Sequence, residues 1–304
     1  MSSSDADGVD VNIDTALVRR LVTGQFPEFA DLAIEPVATS GTDNALYRLG
    51  DDMCVRLPRV TWAIVQVEKE QEWLPALAPF LPLDIPKPLK LGRPAEGYLW
   101  NWSIYGWIEG ESVTPEGIAE PRQLATDLGH FIATLHRVDP AGGPPAGDHN
   151  FYRGMPLATR NKPTREAIQE LHGTIDFEAV TEAWDAALES SPWDLPPVWI
   201  HGDIHAGNLL ANDGQVSAVI DFGGLGIGDP ACDLIVAWNY LSAESRDAFR
   251  AAVAVDDATW ARGRGWALSI SLIGLPYYQD KNPVIVARAK RTIAEVLADH
   301  RSAG

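Results

Sequence analysis

Sulfur and positive charge are both scarce in this sequence, and each scarcity excludes a class of protein. The 304 residues contain two cysteines, Cys54 and Cys232. They are far apart and in no knuckle spacing, so neither a disulfide framework nor a zinc site is expected. Lysine and arginine number 24 against 42 acidic residues, a formal net charge of −18. A surface of that sign repels phosphate backbones and anionic head groups, so neither nucleic acid nor membrane is an expected partner. It would favour a cationic small molecule, although acidity that serves solubility alone is the plainer reading. No apolar run approaches the length needed to span a bilayer. The residues after Met1 are small and acidic, which argues against a secretory leader and for a cytoplasmic location. Internal repeats and long low-complexity linkers are missing too, and nothing asks for more than a monomer.

What is there is ordinary globular composition, 46% hydrophobic and 22% charged. That is enough for one large domain or two lobes with a full core. Asp5, Asp7, Asp10 and Asp14 precede the first basic residue, Arg19, and residues 1–14 read as a disordered acidic tail. From Ile34 to Ile108 the pattern is one of short strands and one helix. Ile34–Ser40, Leu46–Leu49 and Met53–Leu57 are strand-like, Thr61–Trp73 is helical up to Pro75, and Tyr98–Trp102 and Ile104–Ile108 are strand-like again. After Gly110 helical periodicity dominates, as in Leu124, Leu128, Ile132 and Leu135, or Phe177, Val180, Trp184 and Leu188. One hairpin interrupts it: Leu209–Ala211 and Val216–Ile220 flank the turn Asn212-Asp213-Gly214. A strand-rich lobe followed by a helical one is an α+β arrangement.

The chemistry concentrates around that hairpin. His201-Gly202-Asp203-Ile204-His205-Ala206-Gly207-Asn208 has the form H-x-D-x-x-x-x-N, and Asp221-Phe222-Gly223 begins 18 residues after Asp203. An attacking hydroxyl needs a proton acceptor, which Asp203 supplies. Magnesium wants hard oxygen ligands, which the Asn208 amide and the Asp221 carboxylate supply. Alone, the first motif is common by chance and could merely close a turn; with D-F-G at the end of the hairpin it is specific. Two rival readings remain at this point. One is a metal-dependent hydrolase with His201, Asp203, His205 and Asp221 as ligands. The other is a nucleotide-binding scaffold without catalysis.

The chain resembles the aminoglycoside phosphotransferase family of small-molecule kinases, which share the bilobal protein-kinase-like fold. The resemblance is carried by the run Ser40 to Leu49, by Val55-Arg56-Leu57-Pro58, by the His201 to Leu210 run, and by Val219 to Gly226 with Asp229-Pro230 and Asp233-Leu234. It implies an N-terminal nucleotide-binding lobe over 15–108 and a catalytic and substrate-binding lobe over 109–304. It also implies Mg2+ as cofactor, ATP or GTP as donor lying between the lobes, and a small hydroxylated acceptor. An aminoglycoside-like or other antibiotic or metabolite is the expected acceptor class.

Residue by residue, the resemblance implies that Ser40, Gly41, Thr42, Asp43 and Asn44 cover the nucleotide phosphates. Taken alone that stretch is an ordinary turn. Arg56 stands where the family usually has a phosphate-binding lysine; its expected ion-pair partner is Glu70, with Glu68 and Glu72 as competitors. Gly106, Trp107 and Ile108 align with the purine-reading hinge. His201 is expected to brace the loop. His205 is placed either to donate to the γ-phosphate or to brace the loop, and Asp233 to cap a helix and also to tie the loop down. Glu178, Glu182, Asp185 and Glu189 share one helix face; it is a solvated surface or, as the resemblance would have it, an acidic wall that gathers a polyamine. Tyr277, Tyr278 and Asp280 are further candidates for the acceptor pocket.

Overall fold

In Thr15–Gln25 apolar side chains fall at Leu17, Val18, Leu21 and Val22, one stripe of a helix, and Asp14 stands where a cap is needed. A computed structural model describes residues 12–38, 43–114 and 117–303. In it this stretch is helix α1, and Asp14 accepts a hydrogen bond from the Leu17 N–H at 2.8 Å. Asp14, assigned from sequence to a disordered tail, thus ends up as a cap worth about 1 kcal/mol. Residues 1–11 lie outside the described residues.

The chain forms two compact units. One runs to Pro79 and resumes over Asp84–Glu109; the other comprises Phe80–Leu83 and the chain from Gly110 onward. The first unit follows α1 with β1 (Ile34–Pro36), β2 (Asn44–Leu49), β3 (Met53–Pro58), α2 (Thr61–Leu77), β4 (Pro88–Gly92) and β5 (Trp102–Gly106). The strands form one sheet in the order β1-β2-β3-β5-β4, every pair antiparallel. The buried stripe of α1 joins Leu49, Val55, Leu57, Trp102 and Ile104 in a single core. Each such side chain contributes roughly 1.5–3 kcal/mol by leaving water.

Three sequence expectations are corrected here. Pro75 does not end α2 but sits inside its last turn, at the cost of the one intrahelical hydrogen bond that it cannot donate. The two strands expected at 98–108 are one, Trp102–Gly106, and the strand before it is Pro88–Gly92, at the end of the proline-rich stretch. Strand β1 stops at Pro36, although the Val37 N–H still donates to the Leu46 carbonyl at 2.9 Å.

The second unit opens with β6 (Glu111–Ser112) and continues with α3 (Pro121–Leu135), α4 (Asn161–Glu170), α5 (Phe177–Glu189), β7 (Val198–Ile200), β8 (Leu209–Asn212), β9 (Gln215–Val219) and β10 (Gly226–Gly228). Four helices complete it: α6 (Val236–Asn239), α7 (Ala243–Val253), α8 (Asp257–Tyr278) and α9 (Pro283–Ala303). Helix α8 is buried along most of its length and packs on α4, α5 and α9. Strands β8 and β9 form the expected hairpin. Its turn is Asp213-Gly214, both at positive φ (50° and 75°), the geometry a two-residue hairpin loop requires. Two pairings had no sequence signal: β6 adds to β8, and β7 pairs with β10. Both cysteines are buried and free, and burial pushes the Cys54 thiol up to about 11. Among the described residues no helix is long and apolar enough to cross a membrane.

Candidate active site

The loop between β7 and β8 is held from beneath by one carboxylate. Asp233, fully buried in the turn that precedes α6, accepts the His201 N–H at 3.1 Å and the Gly202 N–H at 2.6 Å. His136, at the end of α3, reaches the same carboxylate at 3.1 Å. The helical turn itself is capped by Asp229, which accepts from the Ala231 N–H. Of the two duties expected of Asp233, the structure therefore shows the tether. Gly202 has φ +81°, and a Cβ there would lie 2.8 Å from the Gly224 carbonyl and 3.0 Å from the Arg153 side chain. Only glycine fits a backbone turned that way and approached that closely.

His201 is the second brace. The Asp203 N–H donates to its Nδ1 (3.2 Å), so the neutral ring carries its proton on Nε2 and donates it to the Ile220 carbonyl (3.1 Å). Its ring packs on that of Phe222 with centroids 4.5 Å apart. Burial pushes its pKa down, against the pull of Asp233, Asp203 and Asp221. A neutral imidazole is what the two hydrogen bonds require.

Asp203 is thereby presented with its carboxylate 39% exposed. Burial pushes that carboxyl up, but His205, Arg153 and His201 more than offset it and hold it well below the usual carboxylate range. His205 Nε2 lies 3.6 Å from Oδ2, and Arg153 Nη2 lies 3.9 Å from Oδ1. His205 also accepts the Gly207 N–H on Nδ1 at 3.0 Å, capping the short turn Ala206–Asn208. Of its two expected duties, bracing the loop is the one seen.

The hairpin brings the two candidate metal ligands to its open end. The Ile220 N–H donates to the Asn208 carbonyl at 2.9 Å, one step beyond the Leu209–Val219 pair. Asn208 is buried, and its side-chain N–H2 donates to the Asp203 carbonyl (2.9 Å). That leaves Oδ1 as the atom available to a cation. Asp221 is exposed and sits at φ +63°, ψ +74°, a conformation that costs a non-glycine residue about 1 kcal/mol and often marks a functional position. A side-chain amide oxygen and a carboxylate are the donor types that suit magnesium's preference for hard oxygen.

In the strand-rich unit, Arg56 donates Nη1 hydrogen bonds to both carboxylate oxygens of Glu70 (2.9 and 2.8 Å). With its amide oxygen turned toward the guanidinium, Asn44 also accepts from Arg56 Nη2 and Nε at 3.1 and 3.2 Å. Glu70 is 1% exposed and takes a further hydrogen bond from the Tyr105 hydroxyl. Glu68 and Glu72 are exposed, and Glu68 pairs with Asn101. The choice among the three acids is thus resolved by burial. Asp43 holds the Arg59 N–H with its carbonyl, while Ser40, Gly41 and Thr42 lie outside the described residues. At 106–108, the Gly106 and Trp107 N–H groups are already bonded to the Lys87 and Asp52 carbonyls, and Arg48 stacks 4.0 Å over the Trp107 ring.

A family model described as "Phosphotransferase enzyme family" matches residues 34–266. The chain belongs to that family. Two aminoglycoside 3'-phosphotransferases of Escherichia coli are 42% identical over 60 residues and 25% identical over 165 residues. These stretches are 20% and 54% of this chain, and 22% and 60% of those enzymes. The chain therefore spans less than two thirds of the curated relatives it matches. The solved GDP complex of wild-type aminoglycoside 2'-phosphotransferase-IIIa shares the fold, with a TM-score of 0.69 at 17% identity over 95% of this chain and 100% of that one. The α+β kinase-like fold expected from sequence is thus the fold of this phosphotransferase-family chain.

Within this family member the acidic face of α5 is solvated. Glu178, Glu182 and Glu189 are exposed, and Asp185 pairs with Arg165 at 2.5 Å. Tyr277 is 61% exposed and carries Lys281 over its ring. Sequence reasoning missed His136, whose partner is 97 residues away, and the arginines Arg153 and Arg160. No local pattern marks any of the three.

Proposed function

We propose that this protein transfers the γ-phosphoryl group of ATP or GTP to a hydroxyl of a small molecule, with Mg2+ as cofactor, as a cytoplasmic monomer. The observation that carries the reading is the loop 201–208: Asp203 stays ionised and partly exposed, while His201, Gly202 and Asn208, which hold the loop, are themselves hydrogen-bonded. In this reaction the acceptor oxygen bonds to the γ-phosphorus as the bond to the β–γ bridging oxygen breaks. The hydroxyl proton passes to Asp203, and the nucleoside diphosphate leaves. Asn208 Oδ1 and the Asp221 carboxylate would hold the metal, which when bound neutralises charge on the phosphates. His205 orients the Asp203 carboxylate and is the second candidate for catalysis.

Arg56, fixed by Glu70 and Asn44, offers its guanidinium to the nucleotide phosphates, with the 40–44 segment as their cover. Gly106–Ile108 is the proposed purine site, where the carbonyls and the Ile108 N–H are the groups to consider. The strand-rich unit would then be the nucleotide-binding lobe and the helical unit the catalytic and acceptor-binding lobe.

The hydrolase reading loses its support, because both ring nitrogens of His201 are engaged in hydrogen bonds. Among the described residues no three His, Cys, Asp or Glu side chains converge as a metal-holding group. The test is a screen of aminoglycosides, other antibiotics and hydroxylated metabolites with ATP and with GTP, read by 31P NMR. A new phosphate ester that requires Mg2+ supports the proposal. The absence of both transfer and magnesium-dependent nucleotide binding would defeat it.

A further inference from the structure

Buried and partly buried arginines of the helical unit form two sets. Arg246, Arg262 and Arg264 each meet a carboxylate: Arg246 on Glu295 and Asp299, Arg262 on Asp229, Arg264 on Asp299. Among the described residues, Arg160 has no carboxylate partner and Arg153 reaches one only at long range. Arg160, at the start of α4, gives its Nε–H to Ser269 Oγ (3.1 Å), and no carboxylate pairs with it among the described residues. Arg153 approaches no carboxylate closer than Asp203, at 3.9 Å, and its buried Nε has no partner. Both guanidinium groups lie over the ring of Trp266, 5.8 and 5.4 Å from its centroid, and the indole N–H of Trp266 is buried and unpartnered too. Burial, then the neighbouring charge of Arg153, lowers the Arg160 pKa to about 10, which still leaves it a cation at neutral pH.

Two adjacent, partly buried cations have only the edge of one carboxylate between them, which leaves positive charge for something anionic to complete. A chain with 42 acidic residues had carboxylates to spare and supplies none here beyond the edge of Asp203. The donors present, two forked guanidinium groups and an indole N–H, are of the kind that recognise an oxyanion. We infer that Arg153, Arg160 and Trp266 form an oxyanion subsite beside Asp203, and that the acceptor carries a carboxylate or phosphate ester near the hydroxyl to be phosphorylated. This rests on the phosphotransfer reading and narrows it: the substrate class is a hydroxy acid or a hydroxylated phosphate ester, not a polyamine.

The experiment has a transfer arm and a binding arm, each run with wild type, Arg160→Gln and Arg160→Lys. The transfer arm compares glycerate with glycerol, glycerol 3-phosphate with glycerol, and gluconate with glucose and glucosamine. The charged acid or ester should show at least tenfold higher kcat/KM, and the difference between carboxylate and phosphate identifies the source of the oxyanion. Arg160→Gln should raise KM for the preferred anion tenfold to about a hundredfold, the scale of lost charge-assisted hydrogen bonds. Arg160→Lys should recover part of it. The binding arm measures thermal melting in sodium sulfate against sodium chloride at equal ionic strength. Sulfate should stabilise wild type more than Arg160→Gln, while both bind magnesium–nucleotide alike. Preference for the neutral or aminated acceptor would overturn the inference. So would an equal sulfate effect in the two proteins, or a loss of nucleotide affinity in Arg160→Gln, which would assign the arginines to the nucleotide instead. If no acceptor of any charge is phosphorylated, the phosphotransfer reading fails, and the sulfate comparison alone decides the anion site. Should Arg160→Gln not fold, Arg153→Gln takes its place in both arms.

Discussion

Asp233 is the side chain on which the loop geometry hangs, and its removal gives a prediction with a calculable size. Two backbone N–H groups, of His201 and Gly202, and the ring of His136 all point at this fully buried carboxylate. Asp233→Ala leaves those donors without an acceptor and without access to water. Each orphaned group costs about 1–3 kcal/mol, so the sum is about 3–5 kcal/mol once some relaxation is allowed. For a structure of this size each kcal/mol lowers Tm by about 2–4 °C, which gives a drop on the order of 10 °C. Asp233→Asn keeps the volume but aims an amide N–H2 at a backbone donor, so it should lose less stability and nearly as much turnover. The assay is a circular dichroism melt together with steady-state kinetics and magnesium–nucleotide titration. Both variants should lower kcat at least tenfold, because Gly202 and Asp203 are no longer fixed, while nucleotide affinity stays near wild type. An alanine variant that melts within 2 °C of wild type (about 1 kcal/mol at most) and keeps its turnover would refute the reasoning.

Asp221→Ala should weaken magnesium-dependent nucleotide binding more than Asn208→Ala does, because a carboxylate brings full charge to the ion and an amide does not; calorimetry with and without magnesium checks it, and equal losses would contradict the assignment. His201 is neutral and buried, with its pKa below the ordinary value near 6.5. Below about pH 6.5 the unfolded chain therefore binds a proton that the folded chain refuses. Stability should be at its full value above that pH and fall as pH drops toward the folded pKa, by up to about 1.4 kcal/mol per pH unit. Urea midpoints from pH 8 to pH 5 should show this slope, and His201→Gln should flatten it. The Glu178→Gln, Glu182→Gln double variant should leave acceptor KM within about twofold at low and high salt, since exposed charges on a solvated face act weakly; a several-fold, salt-sensitive rise would restore the acidic-wall reading.

What the sequence made legible was local. The loop 201–208 and the D-F-G tripeptide could be read because their spacing is fixed by a hairpin whose turn residues, Asp213 and Gly214, announce it. Helix α1 was equally legible, with its cap at Asp14 and its stripe at Leu17, Val18, Leu21 and Val22, but the cap was counted with the acidic tail of residues 1–14 and the stripe beyond it went unread. Glu68, Glu70 and Glu72 could not be separated, since residues two apart on a helix point to different sides and only the packing against β5 says which side is inward. The contact of His136 with Asp233 and the clustering of Arg153 and Arg160 on Trp266 depend on how distant helices pack. Each of those residues alone looks like an ordinary surface or core position. Pro75 misled for a different reason: a proline forfeits one helical hydrogen bond without forbidding the helix, and Ala76 and Leu77 still follow it in α2.

The central claim is that Asp203 takes the proton of an acceptor hydroxyl during phosphoryl transfer. The direct measurement is single-turnover transfer of 32P from the γ-position of ATP or GTP to acceptor, by wild type and by Asp203→Asn at equal nucleotide occupancy. Asn keeps the shape and the hydrogen bond from the Asp203 N–H to His201, and removes the base. The rate should fall by about a hundredfold or more with the magnesium–nucleotide Kd and the melting temperature little changed. Transfer by the folded Asn variant at near wild-type rate would contradict the account.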